Sequence, residues 1–477
     1  MYDKLKSLTA DISIYGLAEL LNRMMQVLFL PIIFIYIKPH DFGVLDFFLT
    51  AKNLLSIGLG WGIITAIQRY AYKDIEAKFT EVVSVSIWYI LIIDIVIGLL
   101  ILIGLYVFLN ENNIVYFDAV VVTVSISVSF ALRSVALGVL RLKRKPKKFL
   151  IVTVSNVVFY LLLTFLFIKF LDLTYMAFLY GGLIAIMLST LIGILFIREW
   201  ITLNLNLNLA RRILGFGVSV LSTSMAFQFI NSSNRFFLKI NNSFSDIAML
   251  GMANRLSVFV GGLLIAPFGL AWLPFVNENF SRNDFPEIFR KVYIYVTYVG
   301  LLLTLTISLF ASNILDLAND IEYVNSAIYV PIFSLVFVFQ GFYYLFSTGI
   351  YLQKGRKNYY TIALVSSIFN IVMYILLLNV LNVMIVSLIT LGTYVLIFLM
   401  AYYFGQKMIQ VSVFNTEVVS CFLTFIVLMV VNLNYLPAMW AIHEIVFKIL
   451  SVVVFVGLLF IIPSMRKDVS LIIAKIG

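Results

Sequence analysis

Four polar residues recur at helical spacing inside an apolar stretch of this 477-residue chain: Ser224, Gln228, Asn231 and Arg235. Steps of four, three and four place them on one face of a helix. Other polar groups interrupt apolar runs in the same way. Arg23 lies mid-way along the first run, with Glu19 one turn before it and Tyr15, Asn22 and Gln26 widening the polar face. Lys52 and Arg255 sit in the second and eighth runs, and Arg133 continues a face with Ser125 and Ser129. A charge inside a membrane helix costs roughly 2.5–3.5 kcal/mol on insertion scales, so it normally faces protein or water. Bases outnumber acids among these groups, and that sign suits the capture of an anion rather than of a cationic drug. Arginine favours phosphate, because its planar fork makes two parallel charge-assisted hydrogen bonds. A lipid pyrophosphate carrying sugars would satisfy both the arginines and the Asn, Gln and Ser faces. The expected diphosphate-binding residues are Arg23, Lys52, Arg235 and Arg255. Asn22, Gln26, Gln228 and Asn231 are expected to face sugars or water. Glu19, Asp94 and Arg133 are expected to couple or gate, although Glu19 and Arg23 can also neutralise each other one turn apart. Asp46 and Lys448 lie near helix ends, where an interfacial carboxylate and a snorkelling amine are expected.

The elements that hold these residues are membrane helices. The chain is 62% hydrophobic and only 12% charged, which no soluble domain matches. Fourteen apolar segments can be read, at about 11–37, 43–68, 82–108, 116–140, 149–169, 175–197, 213–238, 247–275, 291–311, 326–352, 359–379, 384–405, 416–433 and 443–463. Each can cross a hydrocarbon core of about 30 Å at 1.5 Å per residue. They do not alternate, which excludes a β-barrel. The expected fold is all-α and polytopic, with about fourteen transmembrane helices. Basic residues alternate between loops: Arg69/Lys73/Lys78, Arg141–Lys148, Arg198/Arg211/Arg212, Arg282/Arg290/Lys291 and Lys354/Arg356/Lys357 all fall on one side with both termini. By the positive-inside rule that side is the cytoplasm.

The net charge of +10 is thus explained by topology. The run RLKRKPKK at 141–148 reads as a positive-inside loop, and no nucleic-acid partner is expected. Short loops leave no room for a soluble catalytic domain or nucleotide-binding P-loop, so neither an enzyme nor a cofactor is expected. The single cysteine, Cys421, and the distant His40 and His443 make no metal site. The text FFLTAKNLLSIGLG (47–60) is comparable to AMLGMANRLSVFVGG (248–262). Two six-helix lobes in parallel orientation are therefore expected, 1–200 and 201–410, with two helices and a tail appended at 411–477.

The order and spacing of several stretches carry a resemblance: FGVSVLSTSMAFQFINSSNRFFL at 216–238, IAMLGMANRL at 247–256, GLGWGIITAIQRY at 58–70 and PFGLAWLPF at 267–275. With the mid-helix Arg23, they resemble the polysaccharide-flippase branch of the multidrug/oligosaccharidyl-lipid/polysaccharide transporter superfamily. Where that family commonly carries an acid before the seventh-segment arginine, this chain has Asn234. The resemblance implies a protein of the bacterial inner membrane that moves undecaprenyl-diphosphate-linked oligosaccharide repeat units, for O-antigen, capsule or exopolysaccharide, to the outer leaflet. It implies alternating access of the two lobes, with bending at Gly60, Gly62, Gly261, Gly262, Pro267 and Pro274. Membrane lipids, a polysaccharide polymerase and chain-length machinery are the implied partners. The alternatives are a cation-coupled small-molecule or drug exporter of the same superfamily, a peptidoglycan-precursor flippase and a membrane polymerase.

Overall fold

Long apolar runs without water-exposed alternatives must satisfy their backbone groups internally, and the chain does so as helices throughout. The computed structural model describes residues 28–73, 79–108, 116–353, 355–409, 411–412, 415–435, 441–462 and 466. Its principal helices are α1 (Leu30–Tyr36), α2 (Pro39–Leu59), α3 (Ile63–Lys73), α4 (Phe79–Phe108), α5 (Phe117–Leu142), α6 (Pro146–Leu171), α7 (Tyr175–Ile197) and α8 (Leu207–Asn241). They continue as α9 (Phe244–Val260), α10 (Ala266–Asn279), α11 (Phe285–Leu315), α12 (Val330–Leu352), α13 (Arg356–Leu376), α14 (Val383–Gly405), α15 (Thr416–Tyr435) and α16 (Ala441–Ile461). A helix stands at each of the fourteen segments read from the sequence, the first being described only from residue 28. Among the described residues ten helical spans are long and apolar enough to cross a membrane. The protein is a multi-pass, all-helical membrane protein.

Local sequence explains the helix ends. Proline opens α2, α6, α11 and α12 in the first turn, where its missing N–H costs nothing. Asn206 caps α8 by accepting from the backbone N–H groups of Asn208 and Leu209 at 3.1 and 3.2 Å. Asn382 caps α14 through the Ile385 N–H at 2.9 Å. At the basic turn before α6, Lys143 lies 3.6 Å over the Phe79 ring, and Arg141 and Lys148 approach Phe149 and Phe196. Before α11, Arg282 donates two hydrogen bonds to Asp284, at 2.8 and 2.7 Å. That pairing holds the arginine more basic and the carboxylate more acidic than usual.

Packing divides the chain into two compact units, Met1–Ala248 and Met249–Gly477. In the first, a core of Ile63, Val82, Val135, Phe149, Ile197 and Ile213 ties α3–α8 together. The long α8 packs on α2 and α3 within this unit. In the second, an aromatic spine of Phe289, Tyr293, Phe342, Phe346 and Phe398 joins α11, α12 and α14. Lys448 does not snorkel. It is buried, donating to Asn313 at 2.6 Å and to Ser312 and Glu444, and so ties α16 to α11.

Two interruptions break the long helices. Between α2 and α3, Trp61 and Gly62 take positive φ values of 48° and 58°. Between α9 and α10, Gly261–Ile265 forms a wide π-helical turn. The first break is locked by backbone contact with α8. A methyl on Gly62 would come within 2.5 Å of the Gly217 carbonyl oxygen, and one on Gly217 would collide with the Trp61 carbonyl. Neither obstacle is a movable side chain. Gly217→Ala is therefore expected to cost at least the roughly 1–3 kcal/mol of an overpacked core. Gly215→Ala, two residues away with nothing near its Cβ, is expected to be neutral or stabilising. Thermal unfolding of the two purified variants separates them.

Candidate functional site

The polar residues of the first unit fall into three arrangements. The first is a closed ion pair. Arg235 on α8 donates through Nε to the Asp46 carboxylate on α2 at 3.1 Å and through Nη1 to the Asn234 side-chain oxygen at 3.0 Å. Both charged partners are buried, at 5% and 7% exposure. Asp46 is thus not interfacial, as its place near a helix end predicts. Phe47 packs edge-on against Phe236 and Phe244 beside it. The Arg235 charge is answered within the protein, which makes it a clamp between α2 and α8.

The second arrangement is an unanswered pair of cations. Lys52 on α2 and Arg133 on α5 lie within electrostatic reach of each other. The two helices pack directly, and Ser127 donates to the Lys52 backbone carbonyl at 3.4 Å. Arg133 is only 5% exposed, and its Nε and Nη2 have no hydrogen-bond partner among the described residues. No carboxylate pairs with the half-buried Lys52 among the described residues either. Two like charges held together in an apolar setting repel, and each bears a desolvation cost. An anion that accepts from both offsets these terms together. Sequence spacing alone assigns Arg133 a coupling or gating role, because the missing counter-charge is visible only once α2 and α5 are packed.

The third arrangement is a carboxylate at the helix break. Asp94 on α4 is fully buried and accepts from Trp61 Nε1 at 3.0 Å, while its other oxygen has no partner. Trp61 holds a left-handed conformation that a bulky residue rarely adopts. The shape of the break and the carboxylate are therefore linked through one hydrogen bond.

The remaining predicted residues are dispersed. Gln228 donates to Ser232 at 3.0 Å, so part of its polar capacity is used along its own helix. Asn231 is exposed and engaged elsewhere. Arg255 belongs to the second unit, is buried and has a partner of its own. Glu19, Asn22, Arg23 and Gln26 lie outside the described residues. Among the described residues no group of three His, Cys, Asp or Glu side chains stands together to hold a metal ion.

A family model described as "Polysaccharide biosynthesis protein" matches residues 8–280, more than half of the chain, covering all three arrangements. The chain belongs to this family. No curated protein sequence matches it. Solved structures show the same fold at low identity. A lipid II flippase, MurJ, in an inward closed conformation aligns with TM-score 0.74 at 14% identity, covering 95% of this chain and 99% of that one. An inward-facing multidrug resistance MATE transporter of the MOP superfamily aligns with TM-score 0.57 at 17% identity, over 84% and 94% of the two chains. A MOP superfamily transporter from Pyrococcus furiosus, described as having a binding pocket of reverse polarity that suggests a different function, aligns with TM-score 0.51 at 17% identity, over 84% and 95%. This polysaccharide biosynthesis family member thus has the fold of MurJ and the MATE transporters.

Proposed function

We propose that the protein is a flippase for undecaprenyl-diphosphate-linked oligosaccharide repeat units, moving them from the cytoplasmic to the outer leaflet of the bacterial inner membrane. The observation that carries this reading is the Lys52–Arg133 pair, the lysine half-buried and the arginine buried, with no carboxylate to answer it among the described residues. A diphosphate presents enough oxygens to accept from both side chains at once. Family membership supports a polysaccharide cargo, and the fold of a lipid II flippase supports a lipid-linked one. Arg23 and Arg255 are further diphosphate-binding residues in the proposal, with Asn22, Gln26, Gln228 and Asn231 towards sugar or water. Arg235 serves chiefly as the clamp that keeps α2 in place. Both termini face the cytoplasm, the protein catalyses no covalent step, and a polymerase and chain-length machinery act on its product.

Alternating access of the two lobes, 1–200 and 201–410, with 411–477 appended, requires helices that bend. The break at Gly60–Gly62 and the π turn at Gly261–Ile265 supply such places. Asp94 is the proposed coupling group, since a buried carboxylate with one free oxygen can load and release a proton.

A deletion strain tests the assignment. Lipid-linked intermediates are extracted, and their leaflet is determined beside a gel of surface polysaccharide. Single repeat units trapped on the cytoplasmic side, with long surface chains lost, are the expected result. Normal polysaccharide with no trapped intermediate, in a strain without a second transporter, contradicts it. Export of small cations instead of glycan would favour the drug-exporter reading.

A further inference from the structure

We infer that the second unit carries a separate saccharide-binding cleft, built from aromatic side chains of α10, α12 and the start of α13. The cavity has a volume of about 260 Å³ and is lined by Phe268, Trp272, Tyr344, Tyr351 and Tyr359, with Ser347 and Thr348. Among the described residues no lysine, arginine or carboxylate lines it. This described lining offers rings and hydroxyls rather than a counter-charge, which suits a neutral occupant better than a diphosphate.

Its floor is pre-formed. Trp272 is 5% exposed and fixed by donating from Nε1 to Thr348 Oγ1 at 2.7 Å. Phe268 stacks on it at 5.2 Å with the rings 19° apart, and Phe289 abuts it at 5.7 Å. Tyr359 is held by donating to the Ser347 carbonyl at 2.9 Å. The rim differs: Tyr344 and Tyr351 are 42% and 45% exposed, and neither hydroxyl has a hydrogen-bond partner among the described residues. A flat apolar floor with unspent hydroxyls at its edge matches a pyranose ring, which has a C–H face and a girdle of hydroxyls. An acyl chain would leave the tyrosine hydroxyls unused. The volume lies below the roughly 300–1,000 Å³ of pockets for drug-sized ligands, so the cleft takes one sugar ring rather than a chain.

Single interfacial rings anchor many membrane helices. Here the rings of three helices converge on one concavity instead of pointing apart into lipid. Its α12 and α13 residues lie at the end of α12 that meets the short basic connection to α13, with Lys354, Arg356 and Lys357 in the sequence there, while its α10 residues come from the first half of that helix. By the positive-inside rule this end is cytoplasmic, where a glycan made in the cytoplasm would first be met. The identity of the occupant rests on the function proposed above.

The test uses the full-length protein in lipid nanodiscs, with tryptophan fluorescence as the readout. The probes are the methyl glycosides of glucose, galactose, mannose, N-acetylglucosamine and rhamnose. At least one glycoside is expected to give a saturable change that disappears in Trp272→Phe. Tyr351→Phe, which keeps the ring, is expected to weaken that glycoside by about three- to tenfold, as for loss of one neutral hydrogen bond. No saturable response to any glycoside overturns the inference. So does a response that persists in Trp272→Phe, or one that cyclohexanol abolishes as effectively as the glycosides compete with one another. Undecaprenyl diphosphate binding is measured in the same discs. If it is retained without a glycoside response, only the saccharide cleft fails; if it is absent while a glycoside response is present, only the diphosphate reading fails.

Discussion

Replacing Arg133 by methionine is expected to raise the thermal stability of the purified protein and to abolish its transport. Nearly every buried arginine does the opposite, because its removal strands a partner. Arg133 has no partner at Nε or Nη2 among the described residues, and Lys52 adds repulsion. Removing the guanidinium relieves both. Burial of a charge in a membrane helix is worth roughly 2.5–3.5 kcal/mol on insertion scales, which sets the upper size of the gain. Methionine keeps the volume of the stem, so no large cavity opens. The same change removes the fork that would hold the diphosphate. Complementation of a deletion strain should fall by at least about tenfold, the effect of losing a single charge-assisted contact of 1.5–3 kcal/mol. Lys52→Met should follow the same pattern with a smaller stability gain, because Lys52 is only half-buried. A protein that retains such a cost at a site gains something else from it, and capture of an anionic ligand is the gain expected.

Asp46→Ala is expected to give the reverse: a large loss of folded protein. Among the described residues it leaves buried Arg235 with only the Asn234 side chain to accept from it. Breaking one side of a buried pair costs about 3–5 kcal/mol, which is a large part of the stability of a typical protein. Arg235→Ala alone should cost a comparable amount, by stranding Asp46 at 7% exposure. The double change Asp46→Leu with Arg235→Met removes both charges and should recover much of the loss. Melting temperature in detergent and yield of monodisperse protein report all three. If the double variant also restores surface polysaccharide, the pair is a clamp. If it folds but remains inactive, Arg235 has a role in capture as well.

The two variants also show where sequence ends as a guide. Helices α4–α7 are read directly, because a bilayer fixes the length of an apolar run and the backbone has no other way to satisfy itself. Its spacing from Gln228 and Asn231 places Arg235 on a polar helical face. Its carboxylate, however, comes from a residue 189 positions away. Intrahelical periodicity carries no information about a contact of that kind. The acid that the family pattern places before Arg235 is here Asn234, and the charge is supplied instead from α2. Arg133 shows the converse, since no spacing rule reveals that a partner is absent. In the stretch containing Trp272, the sequence signals only the bend-forming Pro267 and Pro274. Only the packing of α10 against α12 shows that its rings meet Tyr344 and Tyr351 in one cleft. The breaks at Gly62 and Gly261 had a local signal in their glycines, although the backbone contact of Gly62 with Gly217 did not.

The most direct test of the central claim is the binding of undecaprenyl diphosphate to the purified full-length protein in nanodiscs, measured for the native chain and for Lys52→Gln with Arg133→Gln. Undecaprenol and ethidium serve as comparison ligands. The native protein is expected to bind the diphosphate lipid, to discriminate against the uncharged alcohol, to ignore the cationic dye and to lose its preference in the doubly substituted variant. Unchanged diphosphate binding in a folded double variant, or displacement of the lipid by ethidium, would contradict it.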